Sequence, residues 1–184
     1  MRLLLASRNE NKLRELRTAL PGWEIALVHT HDEPDENGST FVENARIKAH
    51  HGRLHAAPDV WVAGEDSGIE VAALGGRPGV HSARWAEDPV QRLLAELDGE
   101  DDRRVRYVCE LIALAPEGDE LSVRGTLEGS IATSPRGDEG FGYDPIFVPT
   151  GEDRTVAELG NAWKSRHSHR ARAARELADL LAKR

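Results

Sequence analysis

A single cysteine and a single methionine stand in 184 residues. One cysteine excludes an intrachain disulfide framework and a zinc site built from several thiolates. Aromatic residues are few as well: four tryptophans, two tyrosines and three phenylalanines. Long hydrophobic runs are missing, and no window approaches the roughly 18 consecutive apolar residues of a membrane span. Residues 1–6 (MRLLLA) hold too short an apolar stretch for a signal peptide, which wants about 7–15. Positive charge is also scarce, with 24 Lys+Arg against 32 Asp+Glu and a net charge of −8 when histidine is neutral. A general binder of nucleic-acid polymers needs a basic footprint, so that class is set aside along with membrane proteins. The default reading is a cytoplasmic protein. With 39% apolar residues the chain can still build a core, and its length suits one domain over 1–184, or two closely packed lobes.

What is present alternates between helix and strand periods. Residues 2–6 read as a buried strand, and Leu13, Leu16 and Leu20 mark a helix stopped by Pro21-Gly22. Residues 23–28 suit a second strand, and Phe41, Ala45 and Ala49 a helix to about residue 56. Residues 60–63 form a strand, with Gly64 and Gly68 expected to bracket a turn. Residues 88–97 are helical. Val105 to Ala113 and Leu121 to Ile131 then alternate around Pro116-Glu117-Gly118-Asp119, as a long antiparallel hairpin does. A last helix runs from about Ser168. The sum is an α/β protein with a mixed central sheet and flanking helices.

Five segments carry candidate chemistry. Ser7, Arg8, Asn9, Glu10, Asn11 and Lys12 sit where a strand becomes a helix, a place that attracts anions, although Ser7-x-x-Glu10 also spells a capping box. No P-loop occurs, since its glycines and Gly-Lys-Ser/Thr ending are missing. In residues 40–48, Asn44 and Lys48 share a helical stripe with Glu43 close by. Glu65, Asp66 and Ser67 follow an apolar strand, where two carboxylates and a hydroxyl suit Mg²⁺. Phe141 and Tyr143, set among glycines ahead of Asp144, read as a stacking platform for a flat ring. Lys164, His169 and Arg170 enter the last helix, where cations oppose the helix dipole and so are expected to face a ligand acceptor. The other histidines, among them His29, His31, His50, His51 and His55, read as surface residues without a metal pattern, and Cys109 reads as a core thiol.

Those five segments and a sixth at residues 78–85, in chain order SRNENK, TFVENARIKA, EDSG, PGVHSARW, GFGYDPIF and KSRHSHR, occur in the order they have in the inosine triphosphate pyrophosphatase family, the XTP/dITP diphosphatases. The resemblance covers essentially the whole chain. It implies a mixed sheet with two lobes around a nucleotide-binding cleft, Mg²⁺ as cofactor, a homodimer, and hydrolysis of ITP, dITP or XTP to monophosphate and pyrophosphate. By position it implies phosphate contacts from Ser7 to Lys12 and from Lys48. Asp66 becomes the proton acceptor and a metal ligand, Glu43 a second acidic group at the metal, and Ser67 a substrate contact. Phe141, Gly142, Tyr143 and Asp144 become the base-holding loop, and Lys164, His169 and Arg170 the groups that recognise a 6-oxo purine. Two positions depart from the pattern: Arg8 stands where many members have a small residue, and Glu65 where a second Asp is common. Two other readings stay open on the residues themselves: a Maf-like pyrophosphatase for other modified or pyrimidine nucleotides, and a non-catalytic nucleotide-binding module.

Overall fold

The apolar run at residues 2–6 becomes strand β1 (Arg2–Ala6), with Leu3 and Leu5 fully buried as the pleat alternates. The computed structural model describes residues 1–30 and 32–183, so His31 lies outside the described residues. After β1 come α1 (Glu10–Ala19), β2 (Glu24–Leu27), α2 (Phe41–Leu54), β3 (Trp61–Val71), α3 (Pro89–Glu96), β4 (Arg104–Leu114), β5 (Glu120–Ile131), β6 (Phe147–Pro149), α4 (Val156–Leu159), α5 (Asn161–His167) and α6 (His169–Leu181). Two 3₁₀ turns, Ala72–Leu74 and Gly79–Arg84, separate β3 from α3.

The six strands form one sheet in the order β2-β1-β3-β4-β5-β6. β1 pairs in parallel with β2, Leu3 opposite Ile25, and with β3, Leu5 opposite Ala63. Parallel neighbours need crossovers, which α1 and α2 supply. The link between β4 and β5 is too short for a crossover, so these neighbours form the antiparallel hairpin expected, closed by Ala115 N–H donating to Asp119 O at 2.8 Å. β6 adds antiparallel to β5. The sheet is therefore mixed and the fold α/β.

Two compact units divide the chain. The first comprises Met1–Asp66, Cys109–Gly125 and the chain from His169 on; the second comprises Ser67–Val108 and Thr126–Ser168. In the first, β4 alternates between two cores. Cys109, Leu111 and Ala113 join Leu13, Leu16 and Leu177 from α1 and α6, while Ile112 and Leu114 join Ala45 and Ala49 of α2. The second unit has its own core, in which Ile69, Leu93, Tyr107, Leu127, Ile146 and Phe147 meet.

The expected turn at Gly64–Gly68 is corrected: both glycines lie inside β3. Their role is close approach. A Cβ on Gly64 would sit 2.0 Å from Ala45 O and 2.3 Å from Ala49 N, so α2 rests its backbone on the strand there. A Cβ on Gly68 would sit 2.3 Å from Ser82 Oγ. A second correction concerns residues 161–167, which form the separate helix α5. Ser168, in extended backbone, ends α5 directly before α6 begins.

Candidate active site

In a strand, successive side chains leave opposite faces, and Glu65 and Asp66 in β3 obey this. Glu65 points toward α1 and α6. Its Oε2 lies 2.5 Å from Lys12 Nζ, and its Oε1 accepts from Arg170 Nη2 at 3.1 Å, Arg170 Nε at 3.3 Å and the Cys109 thiol at 3.3 Å. Glu65 is fully buried. Burial opposes its ionisation, yet the Arg170 guanidinium and the Lys12 ammonium outweigh it and hold the carboxyl well below the usual range. The same surroundings push the Cys109 thiol up, through burial first and then the Glu65 charge.

Asp66 points toward α2. Its Oδ1 accepts from Lys48 Nζ at 2.7 Å, and its Oδ2 has a long contact with Asn44 Nδ2 at 3.4 Å. Lys48 Nζ also meets Glu36 Oε2 at 2.9 Å and the Glu65 carbonyl at 3.2 Å. Burial pushes the Asp66 carboxyl up, and the neighbouring Glu65 charge adds to that push against the pull of Lys48 and Lys12. Burial acts against the charge of Lys48 too, but Asp66 and Glu36 keep its ammonium above the ordinary range.

Arg170 is 1% exposed, and its cationic place in the first turn of α6 has acceptors in this structure. They are Glu65 and Glu15 of α1, the latter ion-paired with Nη1. Glu15, Glu36 and the Cys109 thiol also belong to this group, and none of the three is a site candidate on the sequence alone. Glu15 lay within reach, because it stands three residues after Lys12 on the same helical stripe. Among the described residues, three cations (Lys12, Lys48, Arg170) face four carboxylates (Glu15, Glu36, Glu65, Asp66) in these ion pairs, a set with no net positive charge.

The start of α1 is capped by Asn9, whose Oδ1 accepts from Asn11 N at 2.9 Å and Lys12 N at 3.3 Å. This corrects the expected capping box: Ser7 Oγ instead accepts from Asn9 N at 3.1 Å. Arg8 is exposed and pairs with Glu33 at 3.2 Å, and Glu10 is exposed in the first turn. Glu43 closes a capping box with Thr40; Ser39 N, Ser39 Oγ and Thr40 N all donate to its Oε2. Those bonds from Ser39, and then from Thr40, hold its carboxyl below the ordinary value.

In the second unit the organising residue is Asp144, fully buried. It accepts from Lys164 Nζ at 2.6 Å, Phe141 N at 2.8 Å and Tyr107 Oη at 3.0 Å. Lys164 Nζ also stands 3.8 Å from the centre of the half-buried Phe141 ring, a cation–π contact. The pairing of Phe141 with Tyr143 as a platform is corrected. Tyr143 is buried in the core of its unit, with its hydroxyl donating to Ser82 O at 3.0 Å. A Tyr among glycines serves packing here because the chain turns its ring inward through Gly140 and Gly142, both at positive φ. Gly142 is exposed, Ser67 is half-buried in β3 and His169 is buried in the first turn of α6.

A hard divalent ion needs one or two carboxylates with donor capacity left over. Glu65 fits poorly, since Lys12 and Arg170 hold its two oxygens. Asp66 fits through Oδ2, and Glu43 through Oε1, which lies outside its capping bonds. Both are oxygen donors of the kind Mg²⁺ takes.

The profile of the Ham1 family matches residues 3–180. The chain is 47% identical over 183 residues to the dITP/XTP pyrophosphatase of Gloeobacter violaceus, covering 95% of this chain and 91% of that one. It is 46% identical over 187 residues to the dITP/XTP pyrophosphatase of Mycobacterium bovis, covering 94% and 91%. Among solved structures it resembles the Ham1 protein of Staphylococcus aureus, with a TM-score of 0.88, 34% identity and 100% of both chains covered. The nucleoside-triphosphatase / dITP/XTP pyrophosphatase of Mycobacterium abscessus gives a TM-score of 0.73 at 41% identity, covering 98% of this chain and 97% of that one. With a family profile matched over nearly its whole length, the chain belongs to the Ham1 family.

Proposed function

We propose that the protein hydrolyses non-standard purine nucleoside triphosphates (ITP, dITP and XTP) to the monophosphate and pyrophosphate, as a single catalytic domain over 1–184. The observation that carries this reading is the pairing of adjacent Glu65 and Asp66 with Lys12 and Lys48, in a member of a family whose named relatives are dITP/XTP pyrophosphatases. A binder of polyanions has little use for buried carboxylates beside its lysines. The relatives' names also leave the Maf-like and pyrimidine-directed alternative without support.

In the proposed reaction Asp66 accepts the proton of a water whose oxygen attacks the α-phosphorus. The bond from that phosphorus to the bridging oxygen breaks, and its electron pair leaves with pyrophosphate. Lys12 and Lys48 stabilise the charge gathering on phosphate oxygens, with Ser7, Arg8, Asn9, Glu10 and Asn11 as the surrounding phosphate-contacting segment. Asp66 and Glu43 would hold Mg²⁺, which when bound neutralises phosphate charge that the cluster, with no net positive charge, does not. Phe141 would stack on the purine with the ring face that Lys164 leaves open. Gly142, Tyr143 and Asp144 shape that loop, and Ser67 adds a polar contact. Lys164 and Arg170 can only donate and His169 can donate, so a 6-oxo group suits them and the 6-amine of adenine does not. A purine oxygen must compete with Glu15 and Glu65 for Arg170.

A nucleotide panel (ITP, XTP, dITP, GTP, ATP, dTTP) with Mg²⁺ tests this, with pyrophosphate and orthophosphate measured separately. Pyrophosphate from the first three substrates is expected. Orthophosphate with a nucleoside diphosphate would overturn the cleavage site, and Asp66→Asn retaining full activity would overturn the role of Asp66. Removal of divalent ions by a chelator should abolish turnover, and Mg²⁺ should restore it. Cytoplasmic location and a homodimer complete the proposal; light scattering on the eluting protein checks the second.

A further inference from the structure

α2 carries His51 and His55 at i and i+4, which puts both imidazoles on one stripe of the helix. Asp32, from the loop after β2, meets that stripe. His51 Nε2 lies 3.3 Å from Asp32 Oδ2, His55 Nε2 lies 3.8 Å from Asp32 Oδ1, and the two rings are 4.9 Å apart between centroids. One ligand atom from each of the three residues falls within 4.8 Å of the others. The His51 side chain is largely covered, whereas Asp32 and His55 are open to solvent.

Two explanations fit these distances, a hydrogen bond between His51 and Asp32 and a metal ion shared by all three residues. A charge-assisted hydrogen bond between imidazolium and carboxylate closes to about 2.7–2.9 Å. The His51–Asp32 bond, at 3.3 Å, is longer than that, and His55 stands farther off at 3.8 Å. A tetrahedral zinc ion bound at about 2.0–2.1 Å to nitrogen and oxygen sets its ligand atoms about 3.3 Å apart. The separation of His51 Nε2 from Asp32 Oδ2 is close to that edge, while His55 Nε2 stands 3.8 Å from the other carboxylate oxygen, so a bound ion would draw the exposed His55 ring inward. Two imidazoles with a carboxylate favour late first-row ions over Mg²⁺ or Ca²⁺, which take oxygen alone.

We propose that Asp32, His51 and His55 form a binding site for Zn²⁺ or a chemically similar late transition-metal dication, with the fourth position left to water. The site shares no residue with the cluster of Glu65 and Asp66. The adjoining His50 takes no part, since it faces Glu120 at 3.6 Å. The loop that supplies Asp32 also supplies Glu36, the partner of Lys48, so a bound ion fastens to α2 the segment that delivers Glu36.

The test uses the untagged full chain, stripped by a chelator and held in excess Mg²⁺ so that sites made of oxygen alone are filled. Co²⁺ is added while visible absorption is read, and Zn²⁺ is then titrated in competition with a chromophoric chelator. The expected result is one equivalent of Co²⁺ with the absorption of a four-coordinate site, displaced by Zn²⁺. His51→Ala and His55→Ala should each weaken Zn²⁺ binding by at least about tenfold. Asp32→Asn should act in the same direction, and His50→Ala should leave binding unchanged. His55 is exposed enough that His55→Ala keeps the fold, which circular dichroism verifies. In the wild type, Zn²⁺ should also slow hydrogen exchange of the amides from Asp32 to Glu36. The proposal is overturned if the wild type takes up no more Zn²⁺ than the His51→Ala/His55→Ala double variant, or if His50→Ala weakens binding as much as His51→Ala.

Discussion

Glu65 and Glu36 both face a lysine, yet their substitutions are expected to differ severalfold in cost. Glu65→Gln leaves the buried Arg170 and Lys12 short of a countercharge, and losing one partner of a buried pair costs about 3–5 kcal/mol. Glu36 is partly exposed and Lys48 keeps Asp66, so Glu36→Gln should cost no more than about 1 kcal/mol. Urea unfolding of the two variants measures the difference. Tyr143 yields a pH prediction. Burial pushes its hydroxyl from 10.0 up to about 12, so the folded state holds that proton more tightly than the unfolded chain. Its contribution is complete below pH 10.0 and is lost as pH rises to about 12. Denaturant melts of the wild type should lose stability across that window, and Tyr143→Phe should lose less. At this scale the sequence announces Lys12, Lys48 and Asp66 through local spacing, because neighbouring residues on a helix or strand reveal a shared face. It cannot announce Glu15 with Arg170, which are 155 positions apart, or Tyr107 with Asp144, 37 apart. It also misdirects at Tyr143, whose glycine neighbours imitate an open loop while the ring packs inward.

Helices meet strands in this fold where side chains are missing. A methyl group on Gly64 would collide with the backbone of α2, and one on Gly125 would sit 1.9 Å from His169 O at the start of α6. Backbone cannot rotate away as a side chain can, so Gly64→Ala and Gly125→Ala should each lose about 1–3 kcal/mol. Calorimetry should show the fall in melting temperature. Gly64→Ala should also reduce hydrolysis, because α2 carries Lys48 toward Asp66. Strand β1 is legible as a short apolar run, and helix α2 and the β4–β5 hairpin because each runs long enough to display its period. β6, α4 and α5 span three, four and seven residues, too few for a period to emerge, and they take their form from packing in the second unit. Glycine inside β3 imitates a turn signal, because sequence alone does not distinguish freedom to bend from room for a neighbour.

Over the whole molecule the net charge of −8 sets the class of anion that can bind. A fluorescent single-stranded oligonucleotide should show no change in anisotropy with this protein at physiological salt, while a nucleoside triphosphate with Mg²⁺ is turned over. Among the described residues no helix is long and apolar enough to cross a membrane. The mixed sheet is legible at this scale from the order of periods, and two lobes are an expectation of the sequence, whereas the places where the two units divide are not legible, since β3, β4 and β5 each supply residues to both without any break in composition. The lysines of the first unit have a consequence for how an anion arrives there. Lys12 and Lys48 already have incumbents, Glu65 for one and Asp66 with Glu36 for the other. On the proposed function, a phosphate group would enter there by substitution, evicting or sharing a resident carboxylate instead of filling an empty positive hole. Singly charged inorganic anions should then compete poorly in the hydrolysis assay, because displacing those carboxylates favours a ligand that brings several charges and its own counterion together.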